Sequence, residues 1–197
     1  MANHYFILNR PRHKWGDYGE TLVHGHGGIV DGICRIERVG PFIPPITMPG
    51  YEIVVSDSVR AELEESGLTG FSFIPVVKAK VVRLDWHQWD WQSSAPAIYP
   101  ETGEPEDYID EGDHCEVTAK ALGDLWAILV PEIARVERDR PIVESPDELH
   151  LLLDTTQGLD LVGSKDVRYH YVSERAKDWL LSRFRPWVQF QEASVRR

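Results

Sequence analysis

The sequence predicts a single α+β domain, residues 1–197, with a mostly antiparallel sheet. Three observations predict it. A stretch of strand-helix-strand character at about residues 51–77 recurs at about 168–193. Short runs of alternating hydrophobicity, the period of a half-buried strand, lie around the two copies. The length of 197 residues suits one core, since a chain of this size buries roughly 70% of its unfolded surface on folding.

The repeat holds its register throughout. Shifting the chain by 117 positions lays Val55-Ser56-Asp57 on Val172-Ser173-Glu174, Arg60 on Lys177, Leu63 on Leu180 and Phe73 on Phe190. Each copy opens with a strand (Glu52–Val55; Arg168–Val172) and passes a serine suited to cap a helix. In each, the next residue is an acid that favours the positive end of the helix dipole. Apolar residues follow at helical spacing, and the copy closes in a short alternating strand, Phe71–Phe73 or Val188–Phe190. No residue of the repeat stands out as a nucleophile or metal ligand, so the repeat is read as scaffold.

The remaining elements follow in chain order. Tyr5–Leu8 is a short apolar strand, and a basic, Gly-rich loop runs on through Gly28. Within that loop His24-Gly25-His26 has the spacing of a two-imidazole chelate. A zinc site takes three or four protein ligands, and the sequence places no third, so no metal is expected there. Ile29–Val39 is an alternating strand closed by Gly40-Pro41-Phe42-Ile43-Pro44-Pro45. Three prolines in five residues exclude that piece from a central ladder. Lys78–Leu84 alternates as a strand, and Leu125–Val130 is a buried strand candidate, although Ala119–Val130 also fits a helix. Ser145-Pro146-Asp147-Glu148 carries helix-start signals leading into Leu149–Leu153. Leu159–Val162 is a further strand, and the basic tail Ala193–Arg197 is expected to fray.

Charge is concentrated. The formal net charge is −11, and the stretch Leu84–Ala119 holds ten acids with no Lys or Arg. Nearly all the imbalance therefore belongs to one segment. Nucleic-acid binders need the opposite sign, because phosphate contacts supply most of their affinity. No run is long enough and apolar enough to span a membrane, and the N-terminal segment lacks the apolar stretch of a signal peptide, so the cytoplasm is the expected compartment. Cys34 and Cys115 stand alone, without the paired spacing of a zinc knuckle or disulfide framework.

The candidate partner-binding residues lie in the acidic segment. Asp85, Trp86, His87, Trp89, Asp90 and Trp91 put three of the seven tryptophans into one short run. Those rings fit either the end of a core or exposed anchors of a binding hot spot. Beyond them, residues 93–116 form a long acidic loop carrying Tyr99, Glu104, Glu106, Asp107, Tyr108, Asp110, Glu111 and Asp113. Loops of this length inside a compact domain are functional or disordered. Asp85 or Asp90 beside His87 is the composition of a general base, so a small hydrolase or metal-dependent enzyme is one alternative. That chemistry requires a positioned nucleophile or water. No GxSxG elbow, HExxH helix, phosphate loop or dinucleotide fingerprint occurs in the chain, so no catalytic residue, metal or cofactor is assigned. A second alternative is an adaptor that uses the acidic loop on some other basic partner.

Gly40-Pro41-Phe42, Ile53-Val54-Val55-Ser56-Asp57, Gly70-Phe71-Ser72-Phe73 with Pro75-Val76, Asp85-Trp86, Val172-Ser173-Glu174 and Val188-Gln189-Phe190 together resemble bacterial immunity proteins. These are the cognate inhibitors of polymorphic or contact-delivered toxins, including the related double-CXXCG group. The cysteines of that group are absent, so its zinc chemistry does not transfer. The resemblance implies a cytoplasmic protein that neutralises one toxin by binding it, without catalysis of its own. The charge pattern agrees in sign, because an inhibitor of a basic cleft needs concentrated negative charge for fast capture and aromatic anchors for slow release.

Overall fold

The computed structural model describes residues 4–11, 26–40, 43–83, 109–139, 148–164 and 166–196. In chain order its strands are β1 (Tyr5–Asn9), β2 (His26–Val30), β3 (Ile33–Gly40), β4 (Ile46–Thr47), β5 (Ile53–Ser56), β6 (Ser72–Arg83), β7 (Leu125–Leu129), β8 (Val136–Arg138), β9 (Leu149–Leu152), β10 (Leu161–Gly163), β11 (His170–Ser173), β12 (Gln189–Glu192) and β13 (Ser194–Arg196). The helices are α1 (Asp57–Glu65), α2 (Glu116–Ala121) and α3 (Glu174–Phe184). The fold is α+β, and its sheets are mostly antiparallel. No described helix is long and apolar enough to cross a membrane.

The chain divides into two compact units, neither of them contiguous. One gathers residues 12–60 and 73–128; the other gathers 1–11, 61–72 and 129–197. The first is built on a six-stranded sheet ordered β2-β3-β6-β7-β5-β4. The second carries a four-stranded sheet, β10-β11-β1-β12, and a three-stranded one, β13-β9-β8.

In the six-stranded unit, β2 and β3 form a hairpin where the sequence suggests one strand. Asp31 and Gly32 both adopt positive φ, 51° and 75°, the geometry of the tight turn that Asp-Gly favours because its twist matches the flanking strands. β3 then runs parallel to β6, with a register shift between Ile36 and Glu37. β6 is a single strand of 12 residues that fuses the repeat's closing strand with the alternating run after it. Cys34, Ile36, Val54, Leu125 and Ala127 form the buried cluster of this sheet. As the prolines require, Pro44-Pro45 leads into β4 at a terminal position of the sheet.

The repeat is present at the level of elements. Ser56 ends β5 immediately before α1, and Ser173 ends β11 immediately before α3. Ser173 caps as expected, its hydroxyl oxygen accepting from Ala176 N at 3.2 Å. Ser56 Oγ instead lies 3.0 Å from Ser58 Oγ. The buried faces match: Val59 and Leu63 in α1, Ala176, Leu180 and Phe184 in α3. The third position of that stripe in the first copy is Gly67, whose φ of +70° lies beyond the end of α1. The first helix is therefore shorter, 9 residues against 11.

Three expectations need correction. Leu149–Leu153, expected to be helical, begins with strand β9 and passes into a 3-10 turn at Leu153–Thr156. Its burial alternates and it is paired on both sides, so sheet contacts overrode the helix-start signals upstream. The tail does not fray: Ser194–Arg196 forms β13, parallel to β9. Arg196 ties it down by reaching Glu137 at 3.1 Å and Asp139 at 2.7 Å. Residues 93–116 are not all exposed loop, because Ile109 is buried and Glu116 opens α2.

Leu63 and Leu180 are 2% and 6% exposed. Truncating either to Ala removes three buried carbons and leaves a cavity, so each variant should lose about 2–5 kcal/mol in urea unfolding. A loss at one position and none at the other would break the equivalence of the two helical faces.

Candidate functional site

Of the partner-binding candidates, Asp85, Trp86, His87, Trp89, Asp90, Trp91, Tyr99, Glu104, Glu106, Asp107 and Tyr108 lie outside the described residues, as does His24 of the His-Gly-His motif. Asp110, Glu111 and Asp113 are described, and all three are exposed. Glu116 joins them, with 81% of its side chain exposed. Among the described residues no three His, Cys, Asp or Glu side chains gather as a metal site.

The end of β6 positions these acids. Lys80 Nζ donates to the Asp110 carbonyl at 2.9 Å, and His114 pairs with Val82 as an isolated antiparallel bridge. Val81 is held from both sides: its amide donates to His114 Nδ1 at 3.1 Å, and its carbonyl accepts from Cys115 N at 2.7 Å. Because Nδ1 accepts, the ring proton of neutral His114 sits on Nε2, which faces Glu116 Oε2 at 3.2 Å. Beneath this segment Val81, Ala119 and Leu122 pack with Ile43. Lys78 Nζ donates to the carbonyls of Ala119 and Gly123, both at 2.8 Å. Lysine ammonium groups therefore close carbonyls at the end of α2 and in the acidic segment.

Three further residues stand out in the structure, of which Arg38 was not singled out by sequence. Arg38 on β3 is fully buried opposite Val81 and donates from Nε to the Val39 carbonyl at 3.1 Å. Burial pulls its guanidinium down to about 9, so it remains a cation at neutral pH. Cys115 accepts from Thr118 Oγ1 at 3.1 Å, and hydrogen bonds to Thr118 lower its thiol pKa. Burial pushes the Cys34 thiol the other way, to about 11, with the Glu52 charge adding to the shift. The two cysteines, alike in sequence in lacking paired spacing, are distinct in structure.

The other unit holds two polar clusters. In the first, Asp160 is 4% exposed. Its carboxylate accepts from Thr69 N at 2.8 Å, Thr69 Oγ1 at 3.0 Å, Ser173 Oγ at 2.7 Å and Arg175 Nε at 3.1 Å, and it pairs with Arg175 Nη2. Burial opposes its charge, but bonds from Arg175, Ser173 and Thr69 outweigh that cost and hold its carboxyl below the ordinary 3.8. In the second, His150 Nε2 meets Asp139 Oδ1 at 2.9 Å and His150 Nδ1 meets Ser194 Oγ at 2.7 Å. The nearby His150 ring, with help from Arg196, lowers the Asp139 pKa. The ring can accept from the Ser194 hydroxyl at Nδ1, but buried Nε2 has no hydrogen-bond partner despite its 2.9 Å approach to Asp139, so the three side chains fall short of the continuous chain of a general base behind a nucleophile. Register explains the grouping, since His150 lies opposite Ser194 on one side and Glu137 on the other. Nothing local in the sequence marks it.

The depressed Asp160 carboxyl sets the sign of its pH dependence. Its stabilisation is complete above the unfolded value and is lost as pH falls through the lower folded value. Asp160→Asn should cost roughly 1.5–3 kcal/mol near neutral pH, the range for hydrogen bonds to charged groups. In urea titrations that gap should close as pH is taken below about 4, near the unfolded carboxylate pKa; a gap that stays constant into strong acid would assign the cost to shape alone.

No protein-family model matches this chain, and no curated protein matches it.

Proposed function

We propose that this protein is an inhibitor: it binds a basic protein toxin through its acidic segment and blocks the toxin's active site. One observation carries the reading. About ten of the eleven net negative charges fall in residues 84–119. The described end of that segment supports it further, since Asp110, Glu111, Asp113 and Glu116 are exposed on backbone anchored to β6. An acidic surface held against a fixed strand steers a basic partner and needs little ordering on binding.

Replacing Glu106, Asp107, Asp110 and Glu111 by Gln or Asn should leave the melting temperature unchanged. The same variant should slow association with the basic product of the neighbouring reading frame by on the order of 10- to 100-fold at low salt. Exposed charges are screened beyond about 8 Å at physiological ionic strength, so the wild-type rate should fall steeply with added salt and the variant's should not. Equal association rates at low salt would remove the acidic segment from the interface. Trp89→Ala or Trp91→Ala should raise the dissociation rate if that ring is an anchor, and should lower the melting temperature if it is core.

A second reading, hydrolysis, has one observation in its favour, the Ser194–His150 hydrogen bond with Asp139 close to the far side of the ring. A fluorophosphonate probe separates the two. As an inhibitor, the protein should take up no more label than its Ser194→Ala variant; labelling at Ser194 that His150→Ala abolishes would favour the hydrolase.

A further inference from the structure

The two sheets share an order that the chain does not follow. In the six-stranded sheet β7 lies between β5 and β6, with β4 outside β5; in the four-stranded sheet β1 lies between β11 and β12, with β10 outside β11. The correspondence extends to single residues. Ser56, Val55 and Val54 face Leu125, Trp126 and Ala127, as Ser173, Val172 and Tyr171 face Tyr5, Phe6 and Ile7. On the other side, Ile46 and Thr47 face Val55 and Val54, as Leu161 and Val162 face Val172 and Tyr171.

Contacts outside the ladders repeat as well. Asp57 N donates to the Asp124 carbonyl at 3.1 Å, and Glu174 N to the His4 carbonyl at 3.1 Å. Ser56 N donates to the Pro45 carbonyl at 3.0 Å, and Ser173 N to the Asp160 carbonyl at 2.8 Å. The Arg60 guanidinium sits 4.2 Å above the Trp126 ring, and Lys177 Nζ sits 3.9 Å above the Phe6 ring. β1 and β7 also share one burial pattern, with their first, third and fourth residues buried.

β1 and β7 are therefore equivalent strands. They lie 120 residues apart, close to the 117 that separates the strand-helix-strand copies. One copy thus comprises β1, β4, β5, α1 and β6, and the other β7, β10, β11, α3 and β12. The first strand of each completes the sheet of the other. Two polar contacts select this arrangement: Tyr5 OH donates to the Leu159 carbonyl at 2.7 Å, and Trp126 Nε1 donates to Asp57 Oδ1 at 2.9 Å. With Leu125 in the place of Tyr5, or Phe6 in that of Trp126, neither bond could form.

We propose that β1 is an exchangeable strand, and that the slot between β11 and β12 accepts the same strand from a second copy of this chain, giving a strand-exchanged dimer. The donated strand makes the ladder bonds, the Lys177 contact and the Tyr5 hydrogen bond that the chain's own strand makes. Closed and exchanged forms then share these contacts, the condition under which swapping is a low-cost route to dimers.

Asn9 faces Gln189 across β1 and β12, and opposed antiparallel residues lie within disulfide reach. In a Cys115→Ser background, full-length Asn9→Cys and Gln189→Cys chains would be unfolded, mixed and refolded together under mild oxidation. The buried Cys34 stays in place. A disulfide-linked heterodimer is expected, with a dimer-to-monomer ratio rising about twofold for each doubling of chain concentration, by mass action. Mixing the chains after folding should give far less, because a central strand must first leave its sheet. A yield no greater than that of a Glu65→Cys chain refolded with the Gln189→Cys chain would overturn the proposal. Should either cysteine chain fail to fold, light scattering on wild-type protein refolded at rising concentration decides: a dimer with the monomer's far-ultraviolet spectrum supports exchange, and monomer alone refutes it.

Discussion

The Asp160 carboxylate is the point on which the four-stranded unit turns. It is buried, so its charge would be costly without compensation, and the compensation comes from three places far apart in sequence. Thr69 lies in the segment after α1, Ser173 is the cap of α3 and Arg175 stands in the first turn of that helix. Arg175 also donates to the Gly67 carbonyl at 3.2 Å. The amides of Asp160 and Leu161 in turn donate to the Thr69 carbonyl at 3.1 and 3.0 Å. Gly70 is held so closely there that a Cβ would stand 2.1 Å from the Leu161 carbonyl oxygen. One charge thus fixes where the segment after α1 ends, where β10 begins and how α3 starts.

The strand-helix-strand repeat was legible in sequence because its signals are local: a serine at a strand end, an acid after it, apolar residues one turn apart. Non-local facts were not. Each sheet is completed by the first strand of the other copy, and Tyr5–Leu8 reads like any short apolar strand. Leu149–Leu153 misled for the same reason, since upstream helix signals are local and pairing with Val136–Arg138 and Ser194–Arg196 is not. Asp31-Gly32 was the opposite case, a local turn signal present in the sequence and passed over.

For the site, sequence located the charge and the structure located its support. A count of acids finds residues 84–119 at once. It cannot find that Val81 is bonded on both sides by His114 and Cys115, or that Lys78 and Lys80 contact carbonyls. Ser194, His150 and Asp139 were equally invisible, since strand register alone brings them together.

The terminal strands of the six-stranded sheet have a bearing on how the protein behaves when concentrated. β4 has only two residues, preceded by Pro44-Pro45 and followed by Pro49. The other terminal strand, β2, carries Gly27 and Gly28 and lies against the turn after β4, since a side chain at Gly27 would meet Pro49 at 2.9 Å. Prolines offer no amide to an incoming chain, and very short edges give it little to pair with. Stacking molecules edge to edge would make an open-ended filament, whereas a reciprocal exchange of an internal strand closes after one partner. The β4 end of this sheet therefore offers an incoming strand little to pair with.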